Sequence, residues 1–216
     1  MSLLGDLIDE YRLIAKNKLT GKDFPDDWKR GEKETVLVLQ GIYEQPYFLM
    51  TIAKELHTMG YGINSVYNQK ETEEKIEFLA EKTAQFIINN KLQKVILVAH
   101  SKGGLVAKYL VDTYPEINRL IKKIVTLSSP FQGSLLANLV PGYKQLDYKN
   151  TFLEKMGKHN ENNHKFLVLY PKFDNHVVPF SSLKLSEAKN ICILINGHTR
   201  ILESPETLEL LRKEVE

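Results

Sequence analysis

The chain has 216 residues, 43% of them apolar and 26% charged, which suits one domain with a sizeable core and is short for two. Its formal charge of +2 argues against a nucleic-acid binder, because such proteins concentrate basic residues on one surface, and here lysines are scattered among glutamates, as in ETEEKIEFLAEKTAQ from Glu71. No apolar run approaches the ~18 residues of a membrane span, and one cysteine, Cys192, cannot form an internal disulfide, so nothing requires an oxidising compartment and a cytoplasmic protein is expected.

Leu4, Leu7, Ile8, Tyr11 and Ile14 follow helical spacing and predict a first helix lying on the domain. Asp6, Asp9, Glu10 and Arg12 interrupt it, so a signal peptide is not expected, and its polar face mixes acids and bases where a membrane-surface helix would be basic. Residues 21–33, GKDFPDDWKRGEK, read as a loop or arm. Short apolar runs then alternate with longer helical patterns. The runs span 35–39, 63–67, 95–99, 121–127, 166–170 and 191–195; the helices span 46–59, 71–90, 103–114 and 205–215. Nearly charge-free runs of Val, Ile and Leu suit strands buried on both faces. Their alternation with helices predicts an α/β fold over 1–216, with a mostly parallel sheet of about six strands and helices on both faces. Residues 128–164 break the rhythm, are too long for an ordinary connection, and are expected to form a binding surface or small cap.

Ligands of open parallel sheets sit beyond the carboxyl ends of the strands, so the residues after each run matter most. A glycine-supported loop (Gln40, Gly41, Ile42, Tyr43) follows the first, Ser101 the third, Asp174 the fifth and His198 the last. Around Ser101 the sequence is Ala99-His100-Ser101-Lys102-Gly103. A strand entering a helix through a tight turn leaves the turn side chain projecting above the sheet, and needs small residues two before and two after it. That is the mechanical basis of the G-x-S-x-G elbow. Alanine at 99 is the smallest departure from that pattern. Gly103 and Gly104 cost the helix about 1 kcal/mol each against alanine, a cost that close passage against the sheet explains. An ordinary strand-to-helix loop is the bland alternative, and no Walker or G-x-G-x-x-G phosphate loop is present.

A serine hydroxyl becomes a nucleophile when a base accepts its proton and an acid orients that base. Ser101, Asp174 and His198 supply such a set, in the chain order nucleophile, acid, base. His176 stands too close to Asp174 in sequence to bridge easily to Ser101. His100 is expected to point away from the elbow and to pack or bond locally; His57, His159 and His164 read as surface, and Cys192 as a small core residue. No metal-ligand spacing occurs, so no metal is expected.

The stretch from about Glu34 to Glu216 resembles the α/β-hydrolase superfamily, in its lipase- and esterase-like group. VLVLQGI, VAHSKGGLVA, SSPFQGS, FDNHVVP and NGHTRIL carry the resemblance. It implies Ser101 as nucleophile, His198 as general base and acid, Asp174 as its orienter, and no cofactor. Alanine in the first elbow position is compatible with activity in small bacterial lipases. The backbone N–H groups of Ile42 and Lys102 would receive the oxyanion, although Gln40-Gly41 stands where the group commonly has His-Gly. The Lys102 side chain is assigned to the surface or the pocket rim. Ser129 and Phe131 replace a threonine and a histidine of the group's T-P-H-x-G-S segment.

Apolar residues gather beside these loops: Ile42, Tyr43, Pro46, Tyr47, Phe48, Phe131, Leu135, Leu136, Leu139, Val140, Val177, Val178 and Phe180. Of these, Tyr43 and Phe131 are the expected substrate contacts. The expected partner is a small-molecule ester with an apolar acyl group. Three functions follow: a serine carboxylesterase or lipase with an open site, an acyltransferase or thioesterase using the same residues, and a non-catalytic binding protein of the fold.

Overall fold

The computed structural model describes residues 23–139 and 143–215, with Gly5, Ile8, Glu10, Tyr11, Arg12, Ile14 and Ala15 of the N-terminal segment. Leu4, Leu7, Gly21, Lys22, Val140 and the side chain of Leu139 lie outside the described residues.

Six strands, β1 (Thr35–Leu39), β2 (Gly62–Ser65), β3 (Val95–His100), β4 (Ile121–Leu127), β5 (Phe166–Phe173) and β6 (Lys189–Asn196), form one sheet in the order β2-β1-β3-β4-β5-β6. Every neighbouring pair is parallel. The apolar runs sit inside these strands; only β2 stops earlier, at Ser65 rather than Tyr67. Strand β5 outlasts its run by three residues, and its pairing with β6 shifts register between Pro171 and Phe173, where proline has no N–H to give the ladder.

Six α-helices have both ends among the described residues: α1 (Met50–Thr58), α2 (Ile76–Asn89), α3 (Lys102–Thr113), α4 (Pro115–Asn118), α5 (Thr151–Met156) and α6 (Pro205–Val215). Where the periodicity predicts a helix from residue 71, a 3-10 turn (Glu71–Glu73) comes first, and extended backbone at Glu74 and Lys75 separates it from α2. Side-chain alternation along the strands builds two cores. Leu37, Leu39, Leu97 and Ala99 pack with α2 and α3, while Val36, Val38, Ile96 and Val98 pack with α1 and α6.

Two expectations are corrected here. Cys192 is exposed, with Leu194 beyond it 79% exposed, although the intervening Ile193 is buried. As the outermost strand, β6 covers only one face with α6, and the period of two sends Cys192 and Leu194 to the other. In the N-terminal segment, Ile8 and Tyr11 are exposed and Glu10 between them is wholly buried. Helical spacing read the opposite.

Candidate active site

At the carboxyl edge of the sheet β3 turns into α3 through Ser101, whose backbone stands at φ 50°, ψ −120°. A non-glycine residue there is strained, and such strain persists only where surrounding structure holds it. The glycines explain how. A Cβ on Gly103 would overlap the Leu39 carbonyl oxygen, and one on Gly104 would overlap the Ser129 side chain, so α3 lies directly on β1 and on the segment after β4. Ala99 pairs with Leu39 and Thr126 and tucks its methyl into the α2–α3 core, where it obstructs nothing.

His198 follows β6 and Asp174 follows β5, and the two meet in the interior. His198 Nδ1 lies 2.8 Å from Asp174 Oδ2 and 3.0 Å from Oδ1. The carboxylate is held in turn by the His176 N–H at 2.8 Å and the Val177 N–H at 3.0 Å. Burial pushes the Asp174 carboxyl up, but the His198 charge and hydrogen bond, with those backbone donors, outweigh it and hold the group below the usual carboxylate range. For His198, burial works against the charged form. The Asp174 charge and hydrogen bond, with Glu44 and Glu10 farther off, win and hold it above the usual imidazole value. Engagement of Nδ1 fixes the tautomer and leaves Nε2 as the ring nitrogen without a partner among the described residues.

The backbone of His198 is gripped as well. Its N–H donates to Asn175 Oδ1 at 3.0 Å and its carbonyl accepts from Ser128 Oγ at 2.9 Å. His176 is an exposed residue, yet its ring lies 4.6 Å from the His198 ring and tilted 38° to it. Lost hydration and the neighbouring His198 charge hold it well below the usual imidazole value. His100 packs inside the protein as expected, but its hydrogen bonds reach well beyond its own segment. It is wholly buried, its Nδ1 is 2.7 Å from Glu44 Oε1, and its Nε2 is 3.3 Å from the His198 carbonyl oxygen.

Glu44, which the sequence reading passed over, also shapes the loop after β1. Its Oε2 accepts the Gly41 N–H at 2.8 Å, while Thr72 Oγ1 accepts the Tyr43 N–H at 2.8 Å. Between them, the Ile42 N–H has no partner among the described residues, and neither has the Lys102 N–H at the start of α3. The Lys102 side chain is a correction. It is buried, not at a surface or rim, and its Nζ donates to the carbonyls of Thr72, at 2.8 Å, and Glu74. The extended link between the 3-10 turn and α2 brings those carbonyls over the elbow.

Ser101, His198, Ile42 and Tyr43 line one cavity of about 440 Å³. Phe48, Leu136, Ala137, Val177 and Ile14 make much of its remaining wall apolar. Pro130, Ser134, Leu136, Ala137, Tyr143 and Leu146 bring the 128–164 segment to it. Tyr43, at φ 63°, stands 5.8 Å from the Tyr143 ring. Phe131 is corrected: it does not line the cavity but is buried in the α2–α3 core, edge-on to Phe166 at 6.2 Å. Loop position alone misled here, because the SSPFQGS segment turns inward after β4. Among the described residues no group of three or more His, Cys, Asp or Glu side chains is placed to hold a metal ion, and no helix is long and apolar enough to cross a membrane.

Comparisons agree with this architecture. The family model of the PGAP1-like alpha/beta domain matches residues 52–182, more than half of the chain. No curated protein matches by sequence. Among solved structures, Aspergillus fumigatus lipase B is similar at a TM-score of 0.68 and 15% identity, covering 87% of this chain and 54% of its own. The chain thus spans about half the length of that lipase. Mature Bacillus licheniformis lipase BlEst2 has a TM-score of 0.62 and 16% identity over 89% of this chain and 94% of its own. The alpha/beta hydrolase enzyme MGS-MChE2, from a lagoon-sediment metagenome, has 0.63 and 19% over 86% and 91%. At these identities the likeness is one of fold.

Proposed function

The chain belongs to the PGAP1-like alpha/beta domain family, and we propose that it is a serine hydrolase of carboxylic esters. The observation that carries this reading is the pairing of His198 Nδ1 with Asp174, 2.8 Å apart, in a residue that lines one cavity with a strained Ser101. In this mechanism Ser101 Oγ attacks the ester carbonyl while His198 Nε2 takes its proton. Asp174 stabilises the imidazolium that forms. The N–H groups of Ile42 and Lys102 receive the oxyanion, each such donor being worth about 3 kcal/mol. Collapse breaks the bond to the alcohol, which leaves with the His198 proton, and water then releases the acyl group by the same steps in reverse roles. The apolar wall around Phe48, Leu136 and Val177 suits an acyl chain, and Tyr43 flanks it. A cytoplasmic setting belongs to the same proposal and rests on Cys192, an exposed free thiol.

Hydrolysis of p-nitrophenyl esters from acetate to palmitate, by wild type and Ser101→Ala in parallel, tests the reading. Activity lost in Ser101→Ala upholds it, and the chain-length optimum divides esterase from lipase. Fluorophosphonate labelling of Ser101 without ester hydrolysis would replace it by transfer to another acceptor or from a thioester. No labelling at all would replace it by a binding role.

A further inference from the structure

Burying a carboxylate is a poor use of a helix face unless something nearby answers its charge. The N-terminal segment does so: Ile8 and Tyr11 are 46% and 63% exposed, while Glu10 is wholly buried. Glu10 Oε1 accepts the Thr199 N–H at 3.2 Å, and Oε2 has no hydrogen-bond partner among the described residues. That oxygen occupies the space a Cβ on Gly197 would need, and Gly197 itself takes φ +114°, so the turn admits the carboxylate only because residue 197 has no side chain. Gly197 and Thr199 are the two chain neighbours of His198. Farther along the segment, Ile14 lines the cavity, so these residues border the site twice.

The charges around Glu10 come from several elements. His198 and Asp174 both act on it, from the ends of β6 and β5. His100 and His176 flank the His198 ring at 4.9 Å and 4.6 Å, Glu44 is bonded to His100, and Arg200 follows in the next turn. Burial, joined by the Asp174 charge, holds the Glu10 carboxyl above the usual carboxylate value, while a positive His198 and the Thr199 hydrogen bond pull it back, so the carboxylate and the imidazolium favour one another.

We infer that Glu10 is a positioning residue, a carboxylate delivered by the N-terminal segment that fixes the Gly197-His198-Thr199 turn and sets a second negative charge beside His198. The inference rests on His198 being the general base of the proposed hydrolase. Asp174 remains the bonded partner of the ring; Glu10 acts through the backbone and through space.

Glu10→Gln keeps an acceptor for the Thr199 N–H and removes the charge. A negative neighbour favours the protonated imidazole, so its removal moves the acid limb of kcat/KM to lower pH. The expected shift is about half a unit to one unit, with kcat/KM on the plateau above the limb roughly threefold to tenfold lower, because the imidazolium formed in the transition state loses the same support. The thermal midpoint should hold or rise, because a buried charge has gone. An unshifted acid limb overturns the inference, as does a loss of rate that merely follows a fall in thermal midpoint. NMR titration of the His198 imidazole reads the same charge without turnover. Should wild type cleave no ester and take no fluorophosphonate, the function reading fails by itself. A lower His198 midpoint in Glu10→Gln would still uphold the placement, and an equal midpoint would overturn it.

Discussion

Glu44 and His100 are joined across 56 residues of sequence by a 2.7 Å contact from Oε1 to Nδ1, wholly inside the protein. The other carboxylate oxygen holds the Gly41 N–H, and the far nitrogen of His100 lies 3.3 Å from the His198 carbonyl oxygen. One acid therefore ties the loop after β1 to the turn that carries His198. Glu44→Ala strands the Gly41 N–H and the imidazole, and buried groups left unpaired cost about 1–3 kcal/mol each. The Ile42 N–H shifts with its loop. We expect kcat to fall roughly tenfold to a hundredfold with KM little changed, since an interaction made mainly in the transition state is lost. Steady-state kinetics of Glu44→Ala against wild type checks this, and an unchanged kcat removes the bridge from the mechanism.

The two glycines of α3 should respond differently to alanine. At Gly103 the obstacle is the Leu39 carbonyl, part of the β1 backbone, which cannot rotate away. At Gly104 it is the Ser129 side chain, a hydroxyl that is buried and without a hydrogen-bond partner among the described residues. Gly103→Ala is expected to cost more than about 3 kcal/mol and to abolish activity, in the range of severe overpacking. Gly104→Ala should cost less, and Ser129→Gly in the same chain should restore part of the loss. Denaturant unfolding of the two single variants, and of each combined with Ser129→Gly, decides the matter. Rescue of Gly103→Ala by Ser129→Gly would contradict the assignment.

Much of this architecture is written in local patterns. Runs such as Val95–Ala99 are apolar and β-branched, and Gly103-Gly104 after a serine signals a helix forced against a sheet, so strands, order of elements and elbow are legible residue by residue. What is not legible depends on where the sheet ends and what lies across it. Cys192 belongs to an apolar run, yet β6 is the outermost strand of the sheet, and Cys192 and Leu194 of that run meet solvent. Phe131 sits in a loop, yet meets Phe166. Glu10 has only polar-face spacing to speak for it, and a contact 189 residues away overrides that spacing. Glu44 carried a signal that could have been read, an acid three residues beyond Gly41 in the loop after the first strand.

The Asp174–His198 pair should give stability a defined pH window. The Asp174 value is depressed, so its contribution is present above the ordinary carboxylate value near 3.9 and lost as pH falls through the folded value. The His198 value is raised, so its contribution is complete below about 6.5 and lost as pH rises through the folded value. Together they stabilise most between about pH 4 and 6.5. The thermal midpoint of wild type minus that of Asp174→Asn should peak in that interval. In kinetics the wild-type acid limb should lie above about pH 6.5, and Asp174→Asn should lower it and cut kcat by about two to four orders of magnitude. A flat difference in midpoint across pH would show that the pair contributes no linkage.

Lys102 supplies the last prediction, because its amine is charged in a place that resists charge. Burial lowers it from 10.5 to about 8, with Glu74, Glu73 and Glu77 partly offsetting the effect. For a lysine depressed on folding, the unfolded chain binds more protons between those two values, so stability rises with pH across them. The gain is on the order of 3 kcal/mol for a shift of this size. Lys102→Met removes the titration but leaves the Thr72 and Glu74 carbonyls without their donor, at about 1–3 kcal/mol. Thr72 also holds the Tyr43 N–H, so the variant should loosen the loop after β1 and raise KM more than it lowers kcat. Denaturant unfolding of both proteins at pH 8 and pH 10 measures the linkage. Wild type should gain stability over that interval relative to Lys102→Met, and a parallel response of the two would mean that the amine keeps an ordinary proton affinity despite its burial.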